Sequence, residues 1–204
     1  MLKKLLFASL FLFSFSSAKA SIISFDGNIA FHNDVIIIEF SLLNDATDVR
    51  VWTDSFLSGL NFDPITALWT AAGDLIDEND DDSSIDPVSQ TFFDSGFYLP
   101  TLDAGDYLFT IATYPNFAFG STIAEGFLFD NETPIALADW CQPASSCNMG
   151  TFWSVQLEGV DSASAPTPTP TPTPTNNVPE PQTLFLMCFG IFGLLLRNKL
   201  KNKI

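Results

Sequence analysis

Apolar and polar positions alternate in short stretches along the middle of the chain. Val49-Arg50-Val51-Trp52-Thr53 alternates, and so does Phe152-Trp153-Ser154-Val155-Gln156-Leu157. After Gly105-Asp106, Tyr107, Phe109 and Ile111 interleave with Leu108, Thr110 and Ala112. A period of two sends successive side chains to opposite faces of an extended backbone, so each stretch predicts a strand. Val35-Ile36-Ile37-Ile38-Glu39-Phe40 does not alternate, but it is a β-branched run that a helix disfavours. Clusters of Gly, Pro, Asn and Asp separate these runs, and no segment of 21–161 shows a convincing apolar helical period. The expected fold class is all-β, a single antiparallel β-sandwich or jelly roll. The chain's 21 Phe residues suit such a core, because a phenyl ring covers much area per residue.

Two apolar runs show no alternation, one at each end. Lys3 and Lys4 precede the run 5–15, which gives way to Ser16-Ser17-Ala18-Lys19-Ala20. A basic start, a short greasy segment and an Ala-x-Ala site read as a secretory signal peptide, 1–20, leaving Ser21 as the mature N-terminus after signal peptidase. The run 183–196 follows Val178-Pro179-Glu180-Pro181 and is closed by Arg197, Lys199, Lys201 and Lys203. Its fourteen residues make about 21 Å of helix against a hydrocarbon core of about 30 Å. Snorkelling basic side chains and a thinned bilayer let such a helix span. The basic cluster then stays cytoplasmic and the rest of the chain lies outside. An unprocessed tail anchor is the alternative.

The order of these last three parts, a Val-Pro-Glu-Pro box, a short apolar helix and a basic terminus, resembles the PEP-CTERM sorting signal of exosortase substrates. The resemblance covers 178–204 and implies a Gram-negative-type bacterium that makes an exopolysaccharide or biofilm matrix. It also implies a transpeptidase-like membrane protease, the exosortase, cutting near the box. Such signals often carry an Arg-rich cluster at the tail, whereas this one is mostly Lys.

Charge bounds what lies between the two ends. All 24 acidic residues fall between Asp26 and Glu180, against Arg50 alone, giving 23 net negative charges. That excludes nucleic acid, whose phosphates need Lys and Arg, and argues against an anionic membrane surface. Residues 21–161 are enough for one acidic β-sandwich ectodomain. Residues 162–177 turn to alternating Pro and Thr, a composition that favours a polyproline II spacer before the sorting tail, 178–204.

A second resemblance lies inside the ectodomain. Asn61-Phe62-Asp63-Pro64-Ile65 leads through Ala67-Leu68-Trp69 to Ala72-Gly73-Asp74-Leu75-Ile76, then Asp77-Glu78-Asn79-Asp80-Asp81. Asp94-Ser95 and Leu99-Pro100-Thr101-Leu102-Asp103-Ala104-Gly105-Asp106-Tyr107 follow. The order is a strand, a Gly turn, a second strand, an acidic loop and two strands joined by a tight turn. It resembles the bacterial pre-peptidase C-terminal β-sandwich over about 25–114, with His32-Asn33-Asp34 matching its opening; 115–159 has no clear counterpart. Residues 77–82 offer five carboxylates and one amide, and hard cations such as Ca2+ take six to eight oxygens. If the family pattern holds, Asp34, Asp63 and Asp94 join from neighbouring strands. The expected metal set is Asp63, Asp77, Asn79, Asp80, Asp81 and Asp94, with Ca2+ in a structural role. The EF-hand spacing is absent, and a solvated acidic loop is the alternative.

Cys141 and Cys147 flank five residues in an exported segment, where a disulfide is expected. Catalytic motifs are wanting: His32 is the chain's one histidine, and no Gly-x-Ser-x-Gly elbow, zinc spacing or phosphate-cradling loop occurs. The expectation is therefore not an enzyme but a structural or binding protein of the cell surface or extracellular matrix, with extracellular polysaccharide as its candidate partner. Its alternative is a carbohydrate-binding module using Trp52, Trp69, Trp140 or Trp153, with a secreted hydrolase third.

Overall fold

The computed structural model describes residues 21–142 and 147–168. Nine strands, β1 (Ile23–Asn28), β2 (Val35–Leu42), β3 (Ala46–Thr53), β4 (Pro64–Thr70), β5 (Leu75–Asn79), β6 (Gly96–Leu102), β7 (Gly105–Thr113), β8 (Phe152–Glu158) and β9 (Ser162–Pro168), form two antiparallel sheets. One sheet has the order β1-β8-β3-β6 and the other β5-β4-β7-β2-β9. Two 3₁₀ turns, Ile123–Glu125 and Leu137–Asp139, interrupt the long excursion between β7 and β8. The all-β expectation holds. The signal peptide, the Pro-Thr segment past 168 and the sorting tail with its expected membrane helix lie outside the described residues. Among the described residues no helix is long and apolar enough to cross a membrane.

The alternating stretches supply the inner faces. Val49 and Val51 of β3 and Val155 and Leu157 of β8 are fully buried, and the register pairs Val51 with Leu157 and Thr53 with Val155. From the other sheet Ile38 and Phe40 pair with Phe109 and Tyr107 and meet them in the same core. Gly27 has a steric reason: a Cβ there would stand 2.8 Å from the Trp153 ring.

The five-stranded sheet is covered on its outer face as well. Val35, Ala67, Trp69, Ala112 and Phe127 form a second apolar cluster, with Ile37, Leu108 and Ala118 packed against it. The excursion after β7 folds back to supply Ala118, Ile123 and Phe127. This explains why β2 opens on an unbroken apolar run, Val35 to Ile38, and why β4 is buried on both faces from Pro64 to Trp69.

The expected tight turn does join two strands, β6 and β7, and it carries the chain from one sheet to the other. One expectation is corrected. Residues 162–168, expected in the Pro-Thr linker, form β9 on the outer edge of β2. An edge position tolerates Pro because only one side of the strand must donate to the ladder. The pairing shifts register between Ile37 and Glu39.

Candidate functional site

Asp63 ends the loop before β4, and Pro64 sets the chain's entry into that strand. The β4–β5 hairpin turns at Gly73, whose φ of 90° lies in the left-handed region that glycine adopts freely. It pairs Thr66 with Asn79, so the residues after Asn79 come to lie beside those before Thr66. One carboxylate oxygen from each of Asp63, Asp80 and Asp81 accordingly falls within 4.8 Å of the other two. Asp63 is only 5% exposed; Asp80 is half-buried and Asp81 exposed.

Electrostatics at this cluster are uncompensated. Asp63 Oδ1 and Asp80 Oδ1 are both shut away from solvent and accept no hydrogen bond. Burial, then the charges of Asp81 and Asp80, push the Asp63 carboxyl up to about 7, while Gln142 pulls it the other way. Burial followed by Asp81 and Glu78 pushes Asp80 up to about 6, and burial raises Asp81. Arg50, the one Lys or Arg among the described residues, is engaged elsewhere, its Nη1 3.4 Å from Glu158 Oε2.

Of the six residues expected at a metal, the structure brings three together. Asp94 is fully buried, and its carboxylate accepts from the Phe56 and Thr91 amides at 3.0 and 2.7 Å and from the Thr53 and Thr91 hydroxyls. Asn79 Oδ1 accepts from Ser95 Oγ, and Asp77, exposed on β5, accepts from the Glu78 amide. Asp34 caps its own turn through the Ala30 and Phe31 amides. Sequence reasoning missed Gln142, whose Oε1 accepts the Asp63 N–H at 3.2 Å. Its position next to Cys141 was the only available signal. Cys141 and Cys147 are joined as a disulfide.

His32 is 1% exposed and packed against Phe129 and Trp140. Its Nδ1 accepts the Ile135 N–H, so Nε2 carries the proton and donates to Glu132 Oε2 at 3.1 Å. Both ring nitrogens are engaged in holding the 131–137 loop. Of the four expected sugar-stacking residues, Trp52, Trp69 and Trp153 are buried and only Trp140 is partly exposed.

Residues 177–199 match the PEP-CTERM protein-sorting motif. The match takes in the Val178-Pro179-Glu180-Pro181 box, the apolar run, and Arg197 and Lys199. The chain is thus an exported protein handled by exosortase, a membrane protease, with a membrane-anchored precursor that is sorted to the cell surface. The match stops short of the β-sandwich. No curated protein matches the chain.

Proposed function

We propose that the exported chain is a non-catalytic structural or binding protein of the cell surface or extracellular matrix, of the kind laid down with exopolysaccharide in biofilms. The observation that carries this reading is the sorting motif at 177–199 following a single acidic β-sandwich. The chain's lone histidine, the one imidazole base available for nucleophilic catalysis, is buried in a structural role, which supports it further. The likeness of 25–114 to pre-peptidase C-terminal domains belongs to the same reading. Such domains accompany secreted proteins rather than define a reaction.

The test is made in the producing cell. Intact mass should give a surface form that begins at Ser21 and ends near Pro179-Glu180-Pro181. Loss of the sorting protease should leave a membrane form that keeps 197–204. Deleting the gene should thin the matrix; unchanged surface layers and biofilm would sink the structural role. Turnover on a panel of polysaccharides and peptides would restore the hydrolase.

A glycan-binding reading comes second, and a specific face favours it. On the outer side of the four-stranded sheet Arg50 pairs across strands with Tyr98 and Glu158, and Ser24 with Gln156. Tyr98 is 47% exposed, with Arg50 over its ring. Polar groups around an open ring suit a sugar face. Glycan-array binding that disappears in Tyr98→Ala would establish it.

A further inference from the structure

We propose that Asp63, Asp80 and Asp81 form a site for a hard divalent cation of the calcium class, which clamps the acidic end of the β4–β5 hairpin to the entry of β4 and is loaded only after export. This does not depend on the matrix reading.

Three observations converge on the site. The three carboxylates each place an oxygen within 4.8 Å of the others, and the donor set is oxygen alone. An all-oxygen set selects Ca2+ or Mg2+ over zinc or copper, which seek imidazole and thiolate. Asp63, one of the three, is only 5% exposed, yet its carboxylate Oδ1 has no hydrogen-bond donor. A buried acceptor left bare is costly, and native folds rarely tolerate one without a partner. Among the described residues no Lys or Arg is free to serve, since Arg50 is held by Glu158. A bound cation meets both needs at once, partnering the bare oxygen and balancing the clustered charge. Asp81, being exposed, leaves the site open to water, which suits Ca2+ with its flexible shell better than Mg2+ with its strict octahedron.

The ion's mechanical role follows from the topology. Asp63 precedes β4 while Asp80 and Asp81 follow β5, so one ion ties the two open ends of the hairpin together. Through the Asp63 amide and Gln142 the clamp reaches the cystine loop. Asp82 N–H bonds the Asp94 carbonyl at 2.9 Å, which carries the constraint into the loop before β6. Extracellular calcium modules bind at about 10⁻⁴–10⁻³ M, and a site of three carboxylates, one solvent-exposed, belongs to that range. It would stay unloaded at cytosolic calcium levels and fill outside the cell.

Thermal unfolding of the full chain, in detergent, with CaCl2, MgCl2 or chelator tests this. Millimolar CaCl2 should raise Tm by about 3–6 °C over chelator, saturably, with MgCl2 giving less than half that shift. Asp63→Asn and Asp80→Asn should abolish the calcium shift. In chelator they should melt at or above the wild type, because each removes a repelling charge. Asp77→Asn, outside the cluster, should respond as the wild type does. A wild-type Tm indifferent to calcium overturns the proposal, as does a calcium shift that survives both Asn substitutions. A shift equal in MgCl2 overturns the calcium preference.

Discussion

Asp94 accepts hydrogen bonds from two amides and two hydroxyls, whereas Asp63, also buried, leaves Oδ1 bare. Both were nominated as ligands because the pre-peptidase C-terminal resemblance implies that they join the acidic loop from neighbouring strands. What separates them is how many donors the fold aims at each, and that depends on loops whose course no spacing encodes. Asp94→Ala strands the Phe56 and Thr91 amides, and a lost hydrogen bond to a charged group costs about 1.5–3 kcal/mol. Urea titration should show a loss of about 3 kcal/mol or more, far beyond Asp77→Ala. For Asp63 the pH dependence runs opposite to that of an ordinary paired carboxylate. Its carboxyl is raised from 3.8 to about 7 in the fold, so in chelator the folded state holds a proton that the unfolded state has released across that interval. Unfolding free energy should therefore fall as pH rises from about 4 to about 7 and level off above. Denaturant midpoints measured in chelator at pH 5 and pH 8 check this; Asp63→Asn should flatten much of the difference.

At the scale of elements, β3 and β8 were legible because one face is buried and the other is largely polar, β7 because Tyr107, Phe109 and Ile111 alternate with Leu108, Thr110 and Ala112 although both faces are covered, and β2 because a β-branched run suits an extended chain. β9 was not. Ser162-Ala163-Ser164 followed by Pro and Thr carries no hydrophobic period, and the segment is a strand only because β2 presents an edge to it. The excursion 114–151 was equally opaque, since its apolar residues are divided between the outer face, which takes Ala118, Ile123 and Phe127, and the main core, which takes Leu137 and Met149. This gives β9 a testable weight. Ending the domain at Asp161 would leave the ladder of β2 open along one side, and exposed edges invite pairing with another chain. A chain with 162–168 replaced by Gly-Ser repeat should melt lower by about 3 °C or more and form dimers or larger species in size-exclusion chromatography. A monomer with wild-type Tm would mean that β9 merely lies beside β2.

Taken whole, the exported part concentrates 23 net negative charges around one arginine. Such a surface keeps copies apart and soluble, but it works against the compact state, because folding draws like charges together. Monovalent salt relieves that repulsion gradually, with a Debye length shrinking from about 30 Å at 0.01 M to about 3 Å at 1 M. Raising NaCl from about 0.02 to about 0.5 M in chelator should therefore raise Tm by several degrees, with no saturation at millimolar concentrations. The effect should persist in Asp63→Asn, since one charge of the 23 changes the total little. Calcium at about 1 mM adds almost nothing to ionic strength, so a saturable shift there reports the three-carboxylate site and not the overall charge. A domain indifferent to NaCl would mean that its acids are spaced widely enough to ignore one another. The acidic surface would then serve solubility and the contacts of the tethered domain, and its charge would no longer count among the forces that oppose folding.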